Sequence, residues 1–283
     1  MLIICPTPIG NLDDVTPRQL KALQDADIIA CEDSRNTGKL LELLHINRDP
    51  QRTKLVSYHE HNAQERAPEL IRHLQHDLTV VLVSDAGTPT ISDPGYRLVQ
   101  LCHEHGIAVT ALPGPVAAMV ALSASGLPSN RFFFEGFLPA KQQAAQERLH
   151  IIKQLHTTTI LYESPHKLLR TLQLLVDTFG PEHIICVARE LTKLHEEYVR
   201  KTTQEMLEDY QSRDKVRGEF VILIEPSTES GALEGDALDA KILELLQQNI
   251  RTKKIRDQLS SLCDLKSSEL YAHIEKLKKD NNL

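Results

Sequence analysis

From Leu2 to Leu112 short apolar runs alternate with amphipathic stretches of helical length, and this alternation restricts the fold more than any other feature. Leu2–Cys5, Ile28–Cys31, Lys54–Ser57, Leu78–Val83 and Ala108–Leu112 read as strands. Thr16–Asp25, Thr37–Leu44, Ala63–Gln75 and the stretch from Pro94 to His105 read as the helices between them. Strands separated by helices of about 10–15 residues form βαβ units and a mainly parallel sheet. Pro94 suits a first helical position, where its missing N–H has no intrahelical partner to lose.

A rigid turn and an alanine-rich helix follow in PGPVAAMVALSASG (113–126), a hinge-like stretch, and the pattern then changes. Arg131–Glu135, Thr159–Tyr162, Ile184–Ala188 and Phe220–Ile224 are strand-like, with helices expected over Gln142–Leu155 and Pro165–Phe179. Fewer helices between strands predict a mixed, partly antiparallel sheet. The small, polar run Pro226–Gly235 reads as a linker. Beyond it Ala237–Leu283 is expected to be all-helical, with apolar residues at Ile242, Leu245, Leu246, Ile255, Leu259, Leu262, Leu270, Ile274 and Leu277. The expected fold class is α/β, with α/β domains over 1–115 and 116–226 and a helical extension over 236–283.

Composition bounds the function classes. A chain of 283 residues with 41% apolar and 25% charged residues has the make-up of a globular protein with a proper core. No apolar run approaches the roughly 20 residues that span a bilayer. The start MLIICPTPIGN has no basic segment and reaches proline at position 6, unlike a signal peptide. Cys5, Cys31, Cys102, Cys186 and Cys263 are scattered singly without a CxxC pair, which fits a reduced, cytoplasmic setting. The net charge of −7 argues against nucleic acid as a partner of the whole surface, because backbone binding depends on Lys and Arg. From Asp236 onward, however, nine Lys/Arg face eight Asp/Glu, giving +1 and leaving −8 for the rest. The cluster RTKKIR (251–256) there can bind RNA locally, although a solvated helix face explains the charge as well.

Ligands of open α/β sheets bind outside the carboxyl ends of the strands. The loops at those ends are CPTPIGN (5–11), CEDSRNT (31–37), VSDAGTPTISDPG (83–95) and LPGPVA (112–117). Each alone is an ordinary turn. Together they can line a cleft with backbone N–H and C=O groups, suited to a ligand with several hydroxyl and amide edges. Neither GxGxxG nor GxxxxGK[ST] is present, so nothing marks a pyrophosphate site. A nucleoside-like cofactor without phosphates is compatible with these loops. His59 and His61 could face one side of an extended segment, but no third ligand completes a metal site and none is expected. Ser84-Asp85 lacks the elbow of a hydrolase. YESPH (162–166) and RELTK (189–193) gather acids, bases and hydroxyls at strand ends, where rim ion pairs are the plainer explanation.

Taken together, TPIGNLDD (7–14), EDSRNT, SYHEHN, SDAGTPTISDPGYRLV, LPGPVAA, SASGLPSNRFFFEGFLPAK, YESPHK and ARELTKLHEE resemble the ribosomal RNA small subunit methyltransferase I family. That family belongs to the tetrapyrrole-methylase-like group of S-adenosylmethionine-dependent methyltransferases. The resemblance runs from about Leu2 to Glu225, and the terminal helices resemble the family's helix-turn-helix-like extension. Departures are Pro6, Ser34, Thr90, Lys167 and Lys201, where the family pattern has alanine, threonine, leucine, arginine and glycine. The last two bear on RNA contacts rather than on the reaction.

The resemblance implies two α/β domains with S-adenosyl-L-methionine in the cleft between them. It implies a homodimer and methylation of the ribose 2′-oxygen of a cytidine in the decoding centre of small-subunit (16S) rRNA, in the 30S particle. Thr7, Pro8, Gly10, Asn11, Asp85, Ala86, Gly87, Thr88, Pro113, Gly114, Val116, Ala117, Tyr162, Ala188 and Leu191 are the expected cofactor-binding residues. The prolines around Gly87 would keep their loop pre-organised, and the Ser92–Gly95 segment would shape the rim and start the next helix. A sulfonium methyl is already activated, so the protein's work is positioning and removal of the hydroxyl proton. Glu190 and Lys193, then Glu163, are the candidates for the proton acceptor; Lys193 serves only if its environment lowers its pKa. Arg35, His59, Asn62, Arg189, Lys253 and Lys254 are the candidates for RNA contact. A methyltransferase of small tetrapyrrole precursors and a non-catalytic nucleic-acid-binding protein are the rival readings.

Overall fold

The computed structural model describes residues 1–46, 53–227, 235–248, 250–260, 263 and 265–281. In the first half, β1 (Leu2–Ile4), β2 (Ile28–Cys31), β3 (Lys54–Ser57), β4 (Val80–Val83) and β5 (Val109–Ala111) form one sheet in the order β3-β2-β4-β1-β5. Every pairing in it is parallel. The crossovers are α1 (Pro17–Asp25), α2 (Ser34–Leu43), α3 (Ala63–Gln75) and α4 (Tyr96–Glu104). Alternate side chains go to opposite faces of a strand. Ile28, Ala30, Val80 and Leu82 accordingly join the core under α3 and α4. Ile29, Cys31, Val81 and Val83 join a separate core with Leu23 of α1 and Leu41 of α2. The helix after β1 therefore lies on one face and the helix after β4 on the other. Since β1 and β4 are neighbours, a crevice opens between their carboxyl ends, which is where ligands of such sheets bind.

The second sheet is built from β6 (Phe132–Phe137), β7 (Thr158–Glu163), β8 (Ile184–Arg189), β9 (Glu197–Thr202) and β10 (Phe220–Ile224). Their order is β6-β7-β10-β8-β9. β6 and β7 run parallel and the other pairs antiparallel, the mixed sheet that the sparser helices predict. One face carries α6 (Gln142–Lys153), α7 (Leu168–Phe179) and α8 (Thr203–Ser212) over a core that includes Leu149, Leu172 and Met206. The other face is covered by α5 (Ala117–Ala124), whose Ala118, Ala121 and Leu122 pack on Ile160, Ala188 and Val221. Ile9, from the loop after β1, packs against this same cluster, so the two halves meet there.

Three departures from the sequence expectation have local causes. α2 begins at Ser34 rather than Thr37, because the Asp33 side chain accepts from the Arg35 N–H and caps it earlier. α4 begins at Tyr96, with Gly95 at the N-cap in a left-handed conformation (φ 142°), so Pro94 lies outside the helix. β9 and α8 are additional elements; β9 is an edge strand, and a reciprocal Thr202–Glu205 capping box starts α8.

The tail forms α9 (Gly235–Gln247), α10 (Thr252–Leu259) and α11 (Ser267–Asp280) around its own core of Leu238, Ile242, Ile255, Leu259, Leu270 and Ile274. Leu262 and linker residues 228–234 lie outside the described residues. All five cysteines are buried. No helix among the described residues is long and apolar enough to cross a membrane.

Candidate active site

The crevice between β1 and β4 is closed by a small antiparallel bridge between their loops. Thr7 N–H donates to Gly87 O (2.9 Å), and Gly87 N–H returns a bond to Thr7 O (3.0 Å). The Thr7 hydroxyl donates to Ser84 O (3.1 Å), which pins the turn from inside. Gly87 has φ 86°, so it needs glycine's conformational freedom; a Cβ there would meet only ordinary contacts, the nearest 3.5 Å from Ile9. Thr88 Oγ1 donates to Pro115 O (2.8 Å), tying in the loop after β5. The loop after β2 joins through Asp85, which accepts from Asn36 Nδ2 (2.7 Å) and Asp33 N–H (3.2 Å). All four strand-end loops are therefore linked to one another by hydrogen bonds or packing. Thr90 (φ 75°) and Ser92 (φ 65°) hold left-handed conformations that side chains disfavour, a strain often found at functional sites.

Between this edge and the second sheet lies a cleft of about 380 Å³. Asp85, Ala86, Gly87 and Thr88 line it from the β4 loop, and Val116 and Ala117 from the start of α5. Tyr162, Glu163 and Leu191 line it from the second half. The Tyr162 hydroxyl accepts from Ala118 N–H (3.1 Å), and its ring meets Phe134 and Phe137 edge-on, so the ring is fixed. Burial raises the Tyr162 pKa, keeping the phenol neutral. The walls include four carboxylates, Asp85, Asp93, Glu163 and Glu219, and no Lys or Arg.

Several expected cofactor residues build the cleft without lining it. Asn11 caps the turn Leu12–Asp14 by accepting from Asp13 N–H (3.0 Å). Pro113 O accepts from Gln19 Nε2 (3.3 Å). Gly114 lies so close to Pro6 that a Cβ would fall 2.1 Å from the proline ring. Gly10 touches the second half, where a Cβ would come 2.5 Å from Lys193 Cγ. Ala188 is fully buried beneath α5. Thr7, as above, works within the bridge, and Pro8 is not among the lining residues.

The expected proton acceptors separate clearly. Lys193 Nζ lies 2.9 Å from Glu190 Oε1 and 2.6 Å from Glu219 Oε2. Desolvation alone would lower its pKa, but the two carboxylate hydrogen bonds outweigh it and the net shift is upward. Lys193 is thus held as an ammonium, the opposite of what a base requires. Glu190, bonded to Lys193 and to Glu219 N–H (3.1 Å), is held below the ordinary carboxylate range. Glu163 is buried, with its oxygens accepting from Ser164 N–H (2.7 Å) and Thr171 Oγ1 (2.6 Å). Sequence reasoning gives Asp93 only a rim-shaping place within Ser92–Gly95, not a proton-accepting one. Asp93 lines the cleft, and burial, reinforced by the nearby Glu32 and Asp85 charges against a Ser84 hydrogen bond, pushes its carboxyl up to about 6. The only sequence signal for it is membership of the same glycine- and proline-rich loop.

The expected RNA contacts also divide. Arg35 is exposed and pairs with Asp33 (2.6 Å), whose carboxyl it holds down at about 2. Asn62 is committed to its own turn, accepting from His59 N–H (2.9 Å) and donating to Ser57 O (3.0 Å). The His59 ring stands 6.0 Å from that of His61, and no group of three ligating side chains among the described residues could hold a metal ion. Arg189 donates to Arg217 O (2.8 Å) and pairs with Glu197 (3.5 Å), so it too serves the fold. Lys253 and Lys254 are exposed on α10.

Two α/β halves share the cleft, one with a parallel and one with a mixed sheet. The chain belongs to the tetrapyrrole (corrin/porphyrin) methylase family, whose model matches residues 1–207. The same fold occurs in the crystal structure of the methyltransferase CobJ, with a TM-score of 0.58 at 19% identity, covering 80% of this chain and 94% of that one. Within the family, the chain is 42% identical over 272 residues to the ribosomal RNA small subunit methyltransferase I of Vibrio cholerae serotype O1, covering 96% of this chain and 93% of the relative. It is 44% identical over 277 residues to that of Escherichia coli O157:H7, again covering 96% and 93%.

Proposed function

We propose that this chain methylates the ribose 2′-oxygen of a cytidine in the decoding centre of small-subunit rRNA, with S-adenosylmethionine as donor. The observation that carries the cofactor is the charge of the cleft: four carboxylates line it, and among the described residues only Glu219 is paired with a cation, Lys193 at 2.6 Å, which itself stands outside the wall. Such a wall repels phosphates and favours a ligand bearing positive charge, as a sulfonium amino acid does. The volume suits a compact nucleoside-like molecule. Relatives named for rRNA of the small subunit, at about 40% identity over nearly the whole chain, support the substrate.

When bound, the cofactor supplies an activated methyl group. The residues of this chain do the rest. Ala86, Gly87 and Thr88 offer a fixed backbone edge, and Val116, Leu191 and the Tyr162 ring give apolar walls that exclude water. Asp93, with a carboxyl at about 6, is mostly ionised at neutral pH and basic enough to accept the hydroxyl proton at a carboxylate oxygen. Glu190 is too acidic for that role and Lys193 already carries its proton. The reading includes a homodimer acting on the assembled 30S particle in the cytoplasm, without a metal.

Incubation with methyl-labelled S-adenosylmethionine and small subunits lacking ribose methylation, followed by nuclease mapping, tests it. Label on one cytidine ribose is expected. Absence of label with cofactor binding intact would reject the rRNA substrate and turn attention to tetrapyrrole precursors.

A further inference from the structure

A second cavity, of about 590 Å³, is walled by Arg189 at the end of β8, Tyr210 of α8 and the loop 213–217 leading into β10. Its charge is the reverse of the cleft's: Arg189, Arg213, Lys215 and Arg217 against the single carboxylate of Asp214, in a chain of net charge −7. Two of these cations are already used. Arg213 grips Glu197 through two bonds (3.0 Å each), reaches Asp209 (2.8 Å) and stacks on the Tyr210 ring at 4.1 Å. Arg189 is held by Arg217 O and Glu197. Lys215 and Arg217, by contrast, are exposed and form no ion pair among the described residues. The end of the loop is nonetheless held: Arg217 O accepts from Arg189 Nε, and Glu219 N–H donates to Glu190 Oε1. The Tyr210 hydroxyl, buried in the same wall, has no hydrogen-bond partner.

The position of this loop gives those cations their use. Only Gly218 separates Arg217 from Glu219, and Glu219 lines the cleft. A strand whose nucleotide enters the cleft must bring its flanking phosphates close to this rim. Exposed cations on a fixed loop satisfy phosphate oxygens without the entropy of ordering a mobile one. We propose that the cavity bounded by loop 213–217 is a phosphate subsite, in which Lys215 and Arg217 hold the RNA backbone beside the nucleotide being methylated. The inference rests on the rRNA reading given above. It also explains how an acidic protein engages a polyanion: a small cationic seat beside the cleft replaces a basic surface.

The test compares the full-length protein with the double variant Lys215→Ala/Arg217→Ala, and with Lys21→Ala on α1 as a control for loss of surface charge on another element. Two quantities are measured: KM for undermethylated small subunits, and affinity for a short single-stranded RNA as salt is varied. Loss of two phosphate contacts lowers the salt slope by about 1.4, so raising salt from about 50 to about 200 mM should weaken wild-type binding roughly sevenfold more than that of the double variant. KM should rise severalfold in the double variant, with S-adenosylmethionine affinity unchanged and Lys21→Ala like wild type. Unaltered KM and salt slope in an active enzyme would overturn the inference and leave the rRNA reading standing. Should the wild type methylate no rRNA, that reading fails, and the salt slopes alone decide whether the cavity binds phosphates. Wild-type protein with no RNA affinity would overturn both.

Discussion

Replacing Asp93 by Asn should make the protein more stable and less active, and the stability gain should depend on pH. Asp93 has its carboxyl raised from 3.8 to about 6, chiefly by burial. A shift of that size corresponds to about 3 kcal/mol. Asp93 remains partly open to solvent, and screening reduces the figure to about 1–2 kcal/mol. The sign follows from linkage. Below 3.8 the carboxyl is protonated folded or unfolded and costs nothing. Between 3.8 and about 6 the unfolded chain ionises while the folded carboxyl keeps its proton, so stability falls across that window and levels off above it. Charged and titratable groups sharing the cleft with Asp93 are Asp85, Tyr162, Glu163 and Glu219, those sharing the adjoining groove are Tyr58, Glu60, Tyr96, Arg97 and Glu104, and the Glu32 charge also acts on it. Asparagine removes the titration and keeps the shape. In urea unfolding, the variant should match wild type at pH 4 apart from a constant offset and gain about 1–2 kcal/mol relative to it by pH 8. Turnover should fall by roughly 10²-fold or more, as loss of a general base does. A stability difference independent of pH would refute the charge argument, and undiminished turnover would refute the proton-acceptor role.

Three further outcomes are expected. Gly114→Ala forces a methyl group into the Pro6 ring and should destabilise by about 1–3 kcal/mol in denaturant unfolding. Lys193→Met should lower turnover by less than about tenfold and leave the pH–rate profile in place, since an ammonium between two carboxylates is no base; a loss of 10²-fold or more would reinstate it. Tyr162→Phe leaves Ala118 N–H without its acceptor, costing about 1–3 kcal/mol, and should weaken S-adenosylmethionine binding in calorimetry.

Much of the first half is legible in the sequence because its strands have one simple environment. The run VVLV of β4 is buried on both faces, so it is apolar throughout and reads as a strand without further help. α3 spans Ala63–Gln75 in both the reading and the structure, its apolar positions following one face. β9 hides because it is an edge strand: EYVRKT mixes charges with apolar residues, and Glu197 and Arg200 are partnered by Arg213 and Glu225. The Thr202–Glu205 capping box is the local sign that a helix follows. At the site, the four strand-end loops can be read from strand order and glycine placement, whereas Tyr162 and Leu191 in the wall are expected only from the family resemblance. What cannot be read is anything set by partners remote in sequence. Asp93 is raised partly by Glu32, and Lys193 is held protonated partly by Glu219. Neither relation leaves a mark in spacing, so the chemistry of the acceptors emerges only once the two halves are folded together.

The contact at Gly10 carries a consequence for motion. With no side chain on Gly10, the loop after β1 already rests against Thr192 and Lys193 of the other half. That edge is a hard stop against further closure of the halves at this point. At this edge the jaw is preset, and any side chain on residue 10 would have to wedge the two halves apart.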